Sequence, residues 1–162
     1  MIEKARIAHV PAIQKILGDF ASQGKLLARP LSELYTNLRD LVVVVDDTAG
    51  EIMGCCGLHI IWEDLAEIRS LAVDTRYQGR GLGRRLVEVC VAEARALGIG
   101  RLFTQTNQAA FFAHQGFRVV VKKVLPQKIW VDCLQCPKFP NCDEVALVMD
   151  LKASDQHLSL LD

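Results

Sequence analysis

A run of glycine and arginine between residues 76 and 86 carries the strongest chemical signal in the chain. The stretch RYQGRGLGRRL places Gly79, Gly81 and Gly83 at alternate positions. Glycine permits positive φ and close approach to the backbone, and guanidinium groups attract anions. The spacing therefore predicts an anion-binding turn, with a diphosphate as the natural ligand. The arginines that bring positive charge to it are Arg76, Arg80, Arg84 and Arg85.

The elements on both sides of this turn position it. The sequence before it, ending in LAVD, is typical of a strand, and from Leu82 onward apolar spacing predicts a helix that ends at Gly98. The apolar positions of that helix are Leu86, Val89, Cys90, Ala94 and Leu97. Such a junction presents backbone N–H groups and the positive end of a helix dipole. Two other phosphate-binding patterns do not fit: the Walker loop lacks its Lys-Ser/Thr pair, and the dinucleotide fingerprint needs parallel strands and a later acidic residue.

The remaining patterns indicate an α/β (α+β) chain with a mixed, mostly antiparallel sheet. ARIAHV is expected to form a first strand, and Pro11 to begin a helix with Ile13, Ile16, Leu17 and Phe20 on one face. LSELYTNL and QAAFFAHQ are expected to be short helices. The other expected strands are LVVVVD, EIMGCCGLHIIW, AEIRSLAVD, RLFTQT, FRVVVKKV and EVALVMDL.

Length and composition favour one cytoplasmic domain. The chain has 162 residues, of which 51% are hydrophobic, so residues 1–152 are expected to form a single domain and residues 153–162 a loose tail. Lys and Arg number 19, as do Asp and Glu, so no overall field favours nucleic acid or an anionic membrane. The sequence shows neither a signal peptide nor a long apolar span, which predicts no membrane partner.

The cysteines fall into two groups. Cys55, Cys56 and Cys90 lie within apolar patterns and are interpreted as buried thiols. DCLQCPKFPNCDE contains the other three, Cys133, Cys136 and Cys142, and no histidine lies nearby to complete a tetrahedral zinc site. Reduced thiols or a disulfide in a packed loop are favoured over metal, so no metal is predicted. None of the four histidines, His9, His59, His114 and His157, is assigned a catalytic role.

Gln78-x-x-Gly81-x-Gly83 after LAVD, together with FFAHQGF later in the chain, resembles the acetyl-CoA signature of the Gcn5-related N-acetyltransferase superfamily. The likeness in order and spacing extends over nearly the whole chain. It implies the fold of that superfamily, with about seven strands flanked by helices and acetyl-CoA bound where the fourth and fifth strands splay apart. It also implies an enzyme that transfers an acetyl group to an amine, and it leaves a homodimer possible.

The resemblance assigns roles to residues around the cofactor. It implies that the loop from Gln78 through Gly79, Arg80, Gly81, Leu82 and Gly83 to Arg84 holds the pyrophosphate through backbone amides. Leu71, Ala72 and Val73 would hold the pantetheine arm and polarise the thioester through main-chain groups. Asn107 would bind the same arm, with a helix N-cap as its alternative role.

Transfer to an amine requires an unprotonated nitrogen, hence a general base. Glu67 stands at the strand position where several superfamily members keep a catalytic glutamate, and the alternative is a cross-strand ion pair on a solvated face. Strand alternation predicts that Glu67, Arg69, Leu71 and Val73 share one face. Many relatives place a tyrosine, as the acid for the departing coenzyme A, where this chain has Phe112. Phe111 and Phe112 are therefore expected in the core or in the wall of the thioester channel.

A narrower likeness concerns the acceptor. Sequences flanking the signature, among them KLLARPLSELYTNLRDLVVV and WEDLAEIRSLAVD, resemble short bacterial amino-acid N-acetyltransferases related to N-acetylglutamate synthase. This implies the α-amine of a small amino acid as acceptor, glutamate first, in arginine biosynthesis. Arg29 and Arg69 are the candidate carboxylate ligands, with structural ion pairs as the alternative. Other possible functions are acetylation of a protein N-terminus, a lysine or another small amine, and an acetyl-CoA-binding regulatory module with a metal- or redox-sensitive cysteine loop.

Overall fold

The computed structural model of the protein describes residues 1–26, 28–125 and 144–151. These residues form a seven-stranded sheet flanked by helices. The helices are α1 (Val10–Ser22), α2 (Leu31–Thr36), α3 (Leu82–Leu97) and α4 (Ala109–His114). The strands are β1 (Ile2–Lys4), β2 (Leu41–Val45), β3 (Ile52–Trp62), β4 (Leu65–Val73), β5 (Arg101–Thr106), β6 (Arg118–Val120) and β7 (Val145–Asp150).

The sheet has the order β1-β2-β3-β4-β5-β7-β6. Every neighbouring pair is antiparallel except β4 and β5, which run parallel because α3 crosses between them. The predicted fold class, mixed and mostly antiparallel, is therefore confirmed. In this arrangement the turn before α3 lies beside the one parallel pair among the described strands.

The two larger of three hydrophobic clusters cover the two faces of the sheet. On one face α3 buries Leu82, Leu86, Val87, Cys90 and Ala94. On the other face α1 and α2 pack against residues of β2, β3 and β4, with α1 burying the predicted positions Ile13, Ile16 and Leu17. Val89 and Leu97, which were expected on the apolar face of α3, are 37% and 55% exposed. At 100° per residue Val89 lies at the edge of the face centred on Leu86 and Cys90, whereas Leu97 lies on that face but is the last residue of the helix.

The three cysteines expected to be buried thiols are free and buried in the two clusters. Cys56 and Cys90 belong to the α3 face, and Cys55 belongs to the α1 face. Burial raises the pKa of the Cys55 thiol to about 12. A hydrogen bond with Cys90, together with burial, raises the pKa of the Cys56 thiol well above its ordinary value. These thiols act as small apolar side chains.

The first strand lies elsewhere than predicted. ARIAHV does not form it: β1 spans Ile2–Lys4, and a 3₁₀ turn covers Ile7–His9 before α1 begins. His9 Nδ1 accepts the N–H of Arg6 at 3.0 Å, which stabilises this turn. Pro11 lies in the first turn of α1, as expected. β6 is also shorter than FRVVVKKV, because a 3₁₀ turn occupies Lys122–Val124.

Strands β4 and β5 separate soon after they meet. They pair only at Leu65, Ala66 and Glu67 of β4, opposite residues 101–103 of β5. At the point of separation the buried Thr104 hydroxyl donates to the carbonyl of Ile68 at 2.9 Å. This bond satisfies a carbonyl that has lost its strand partner. Beyond it the two strands diverge and leave space between them.

A bulge in β4 changes which residues share a face. Cys55 pairs with Ala72 and Gly57 pairs with Arg69, so two residues of β4 oppose one of β3. Ser70, inside the bulge, has a φ of 57°. The prediction that Glu67, Arg69, Leu71 and Val73 share one face is therefore wrong, because the extra residue reverses the alternation. Leu71 and Val73 pack on the α3 face, whereas Ala72 packs on the α1 face.

In the part of the chain that the structure describes, no helix combines the length and the hydrophobicity needed to traverse a bilayer. The expected domain limits, 1–152 and 153–162, stay a prediction, because residues 152–162 lie outside the described residues.

Thr104→Val tests the bond at the separation of β4 and β5. The substitution keeps the shape of a 3% exposed side chain but removes the donor to Ile68. We expect the free energy of unfolding in urea to fall by about 1–3 kcal/mol, the usual cost of an unsatisfied buried group. Thr36→Val, which removes an exposed hydroxyl bond to Glu33, is the control. Equal stability of the two variants would show that the bond does not hold the strands.

Candidate active site

A cavity of about 540 Å³ opens where β4 and β5 separate. One wall is formed by the end of β4 and the turn that follows it. The predicted cofactor residues in this wall are Leu71, Ala72, Val73, Gln78, Gly79, Gly81, Leu82, Gly83 and Arg84. The sequence therefore identified this wall almost completely.

The opposite wall comes from the end of β5 and from α4. Asn107, Phe111 and Phe112, all expected near the cofactor, line it together with Thr106 and Gln108. Phe112 is buried at 3% exposure and meets the Phe111 ring edge to face at 5.1 Å. The packed pair therefore belongs both to the hydrophobic core and to the cavity wall.

Asn107 does not cap α4. The N-cap position is Gln108, which makes no capping hydrogen bond through its side chain. Instead the Thr106 hydroxyl accepts the N–H of Gln108 at 2.9 Å. The alternative role given to Asn107 in the sequence analysis is therefore wrong, and its exposed side chain lies at the cavity.

The glycine turn leaves its backbone open toward the cavity. Gly79 and Gly81 have φ of 82° and 75°, and a Cβ on either would meet no atom within 4 Å. Gly81 is the N-cap of α3 and makes no side-chain hydrogen bond, so the first amides of a 16-residue helix are left for another acceptor. Helix amides and the positive end of the dipole favour an anion here, and the open space beside the glycines fits a diphosphate.

The arginines of the turn are exposed, and three of them contact neighbouring side chains. Arg84 lines the cavity, with its Nε 3.8 Å from Glu88. Arg80, expected to bind the cofactor, lies outside the cavity wall with its guanidinium 5.3 Å from the centre of the Tyr77 ring. Arg76 pairs with Asp74 at 3.2 Å. The binding of an anion by these amides and arginines stays a prediction.

Asp74 organises the entry to the turn. Its carboxylate accepts the backbone N–H of Arg76 at 2.9 Å and the Arg76 guanidinium at 3.2 Å. These side-chain and backbone hydrogen bonds hold the pKa of Asp74 below its ordinary value. Tyr77 donates its hydroxyl to Glu51 at 3.1 Å, and this bond raises the pKa of Tyr77. The Gln78 amide donates to the carbonyl of Val73 at 3.0 Å and ties the turn to the end of β4.

The residues expected at the acceptor lie together on the α1 face of β4. Arg29 Nη1 is 2.9 Å from Glu33 Oε1, and Arg69 Nη2 is 3.8 Å from the same oxygen. Arg69 Nη1 lies 3.8 Å from Glu67 Oε1. The two arginines and Glu67 are 10–13% exposed, and Glu33 is 31% exposed. Both interpretations of the arginines, ion pair and carboxylate ligand, are compatible with this cluster, because each guanidinium has five N–H donors.

Several cavity residues were not identified from the sequence. Phe20, Lys25 and Leu26, at and after the end of α1, form a third side of the cavity. Lys25 Nζ lies 5.5 Å from the centre of the Phe20 ring. No motif marks these residues, because their position depends on how α1 packs against the sheet.

Cys133, Cys136 and Cys142, the weighed but not favoured zinc ligands, lie outside the described residues. Within residues 1–26, 28–125 and 144–151, no group of three or more His, Cys, Asp or Glu side chains could hold a metal ion.

Comparisons with known proteins agree on one family. Residues 12–117 match the model described as the acetyltransferase (GNAT) family. An uncharacterized N-acetyltransferase of Chlorobaculum tepidum is 38% identical over 93% of this chain and 96% of that protein. An amino-acid acetyltransferase of Mycobacterium tuberculosis is 38% identical over 72% of this chain and 67% of that protein. The N-acetylglutamate synthase of Neisseria gonorrhoeae, complexed with coenzyme A and N-acetyl-glutamate, has a TM-score of 0.84 at 28% identity, over 93% of this chain and 35% of the synthase.

Asp74→Asn tests the charge beside the turn. Because the pKa of Asp74 is lowered in the folded protein, its ionised form contributes stability above its ordinary pKa of 3.8, and this contribution is lost as the pH falls through the lower folded value. Asparagine keeps an oxygen for the Arg76 N–H but removes the charge. Urea unfolding at several pH values should show the wild type more stable at pH 7 and the difference closing below pH 3.8. A difference independent of pH would contradict this origin.

Proposed function

The chain belongs to the acetyltransferase (GNAT) family, and from this premise we propose that it transfers the acetyl group of acetyl-CoA to the α-amine of a small amino acid, with L-glutamate as the acceptor. The fold and the enzyme class follow from the family. The acceptor and the role of each residue are the parts proposed here.

The observation that carries the proposal is the open glycine turn at the start of α3, inside the cavity between β4 and β5. Its amides would bind the pyrophosphate of coenzyme A, with Arg84 adding charge at the rim. The synthase that resembles this chain was crystallised with coenzyme A, which supports the same ligand for this cavity.

The end of β4 would hold the acetyl group. β5 pairs with β4 only as far as Glu67, so Leu71, Ala72 and Val73 line the cavity without a β5 partner. A backbone N–H in this wall would hydrogen-bond the thioester oxygen as negative charge develops on it. Asn107, on the opposite wall, would hold the pantetheine arm.

Glu67 would remove a proton from the acceptor. An α-ammonium has a pKa of about 7.7 to 8.0 and cannot attack until it is deprotonated. Glu67 is near Arg69 but is not part of the cavity wall, so we propose that it acts through a water molecule. Phe112 cannot donate a proton to the departing thiolate. A thiol pKa of about 8.5 makes that thiolate a good leaving group, so transfer does not depend on an acid at that position.

Arg29 and Arg69 would receive the carboxylate of the acceptor. They converge on Glu33 beside the candidate base, on the face of β4 that carries Glu67. An amino acid whose carboxylate binds these arginines would place its α-amine a short distance from Glu67. The names of the relatives, amino-acid acetyltransferase and N-acetylglutamate synthase, support an amino acid and, more narrowly, glutamate.

Gly81→Val should weaken acetyl-CoA binding by more than about tenfold, because the side chain would fill the space of the diphosphate. Gly50→Val is the matched control. Gly50 has nearly the same φ, 72° against 75°, and equally open surroundings, but it lies in the turn between β2 and β3. Backbone strain is thus alike in the two variants, and calorimetry should show lost affinity only for Gly81→Val. Equal affinity of both variants would remove the glycine turn from the binding site.

Glu67→Gln should lower kcat by about a hundredfold, the usual contribution of a positioned base. Acetyl-CoA affinity should change little, since Glu67 lies outside the cavity wall. The deficit should be largest at low pH, where more of the acceptor is protonated. Glu93→Gln, which removes a surface pair with Lys4, serves as control. A Glu67→Gln profile of rate against pH that matches the wild type would assign Glu67 a structural role.

A further inference from the structure

His59 is directly opposite the proposed base. In the pairing of β3 with β4, His59 is the Cα partner of Glu67. Side chains of such a pair point to the same face, with their Cβ atoms about 4.5–5.5 Å apart. We propose that His59, held by Asp40, receives the proton that Glu67 removes from the acceptor and passes it to solvent. This inference rests on the proposed function of Glu67.

Asp40 fixes the imidazole of His59. Asp40 lies in the 3₁₀ turn before β2, and its Oδ2 is 2.6 Å from His59 Nδ1. When Nδ1 bears the proton of this bond, Nε2 is the nitrogen that accepts. The imidazole is 28% exposed and the carboxylate 26%. The ring therefore contacts Asp40 and also reaches solvent, as a group that passes a proton outward must.

The charges around His59 favour this direction of transfer. Facing it are Asp40 from the 3₁₀ turn and Glu67 from β4, with Arg69 two residues further along β4 on the same face. Asp40 also borders a small cavity that Arg29, Glu33 and Arg69 line. Two arginines and three carboxylates meet in this region, so a proton arriving on His59 encounters compensating negative charge.

The proposed reaction removes two protons from the acceptor nitrogen. The acceptor enters as an ammonium, and one proton passes through water to Glu67 and then to His59 Nε2, while Asp40 accepts the hydrogen bond from Nδ1. The nitrogen lone pair forms the C–N bond as the C–S bond breaks. The second nitrogen proton accompanies the thiolate and yields the free thiol of coenzyme A. His59 then releases the first proton, which is the one proton the overall reaction liberates.

His59→Gln should lower kcat by about tenfold and leave the KM values of acetyl-CoA and of the acceptor unchanged, because His59 touches neither and acts as a positioning residue through Glu67. Asp40→Asn, which keeps the bond to Nδ1 but removes the charge, should lower kcat in the same way. Free imidazole should restore part of the activity of His59→Ala through the exposed site. His9→Gln is the control, since His9 bonds to Arg6 far from β4.

Thermal unfolding identifies variants that fail to fold, and if His59→Ala is one of them, Asp40→Asn decides. The relay is overturned if folded His59→Gln or folded Asp40→Asn keeps the wild-type kcat. It is also overturned if imidazole does not restore activity to a folded His59→Ala. All variants are assayed with whichever amine the wild type acetylates. If the wild type acetylates another amine but not glutamate, only the proposed acceptor is contradicted. The His59 variants are then compared on that other amine.

Discussion

Strands β4 and β5 run parallel and hydrogen-bond over only three residues before they diverge. Parallel strands in a continuous sheet would pair along their length and leave no room between them. Here the Thr104 hydroxyl satisfies the Ile68 carbonyl at the point of divergence, so the separation costs no buried hydrogen bond there. The cavity, the end of β4 that has no β5 partner and the position of the glycine turn all depend on this separation.

The bulge at Ser70 is the second constraint on the site. By adding one residue to β4 it directs Glu67 and Arg69 to the α1 face, while Leu71 and Val73 pack against α3. A single strand can therefore serve two purposes. Its first half presents charged side chains to the proposed acceptor, and its second half presents backbone to the proposed cofactor. A non-glycine residue at a φ of 57° is a small local strain that fits a functional position.

Much of the fold followed from sequence patterns, and the failures have definite causes. The helix from Leu82 to Gly98 and its glycine turn were predictable, because periodicity and capping are local. The bulge at Ser70 was not, since an extra residue in one strand is visible only against its partner. The pairing of Asp40 with His59 joins a turn to a strand 19 positions away, and strand register brings His59 opposite Glu67. Arg80 lies beside the Tyr77 ring and outside the cavity wall, a contact that no sequence motif predicts.

The central claim is that this cavity and the cluster beside it acetylate the α-amine of an amino acid. An acetyl-CoA-dependent screen of the free amino acids with the purified wild-type protein, read by release of coenzyme A thiol and by mass of the product, tests it most directly. The account predicts turnover of a small amino acid, with N-acetylglutamate as the main product and no product from an amino acid whose α-amine is blocked. Acetyl-CoA binding without acetylation of any free amino acid would contradict it.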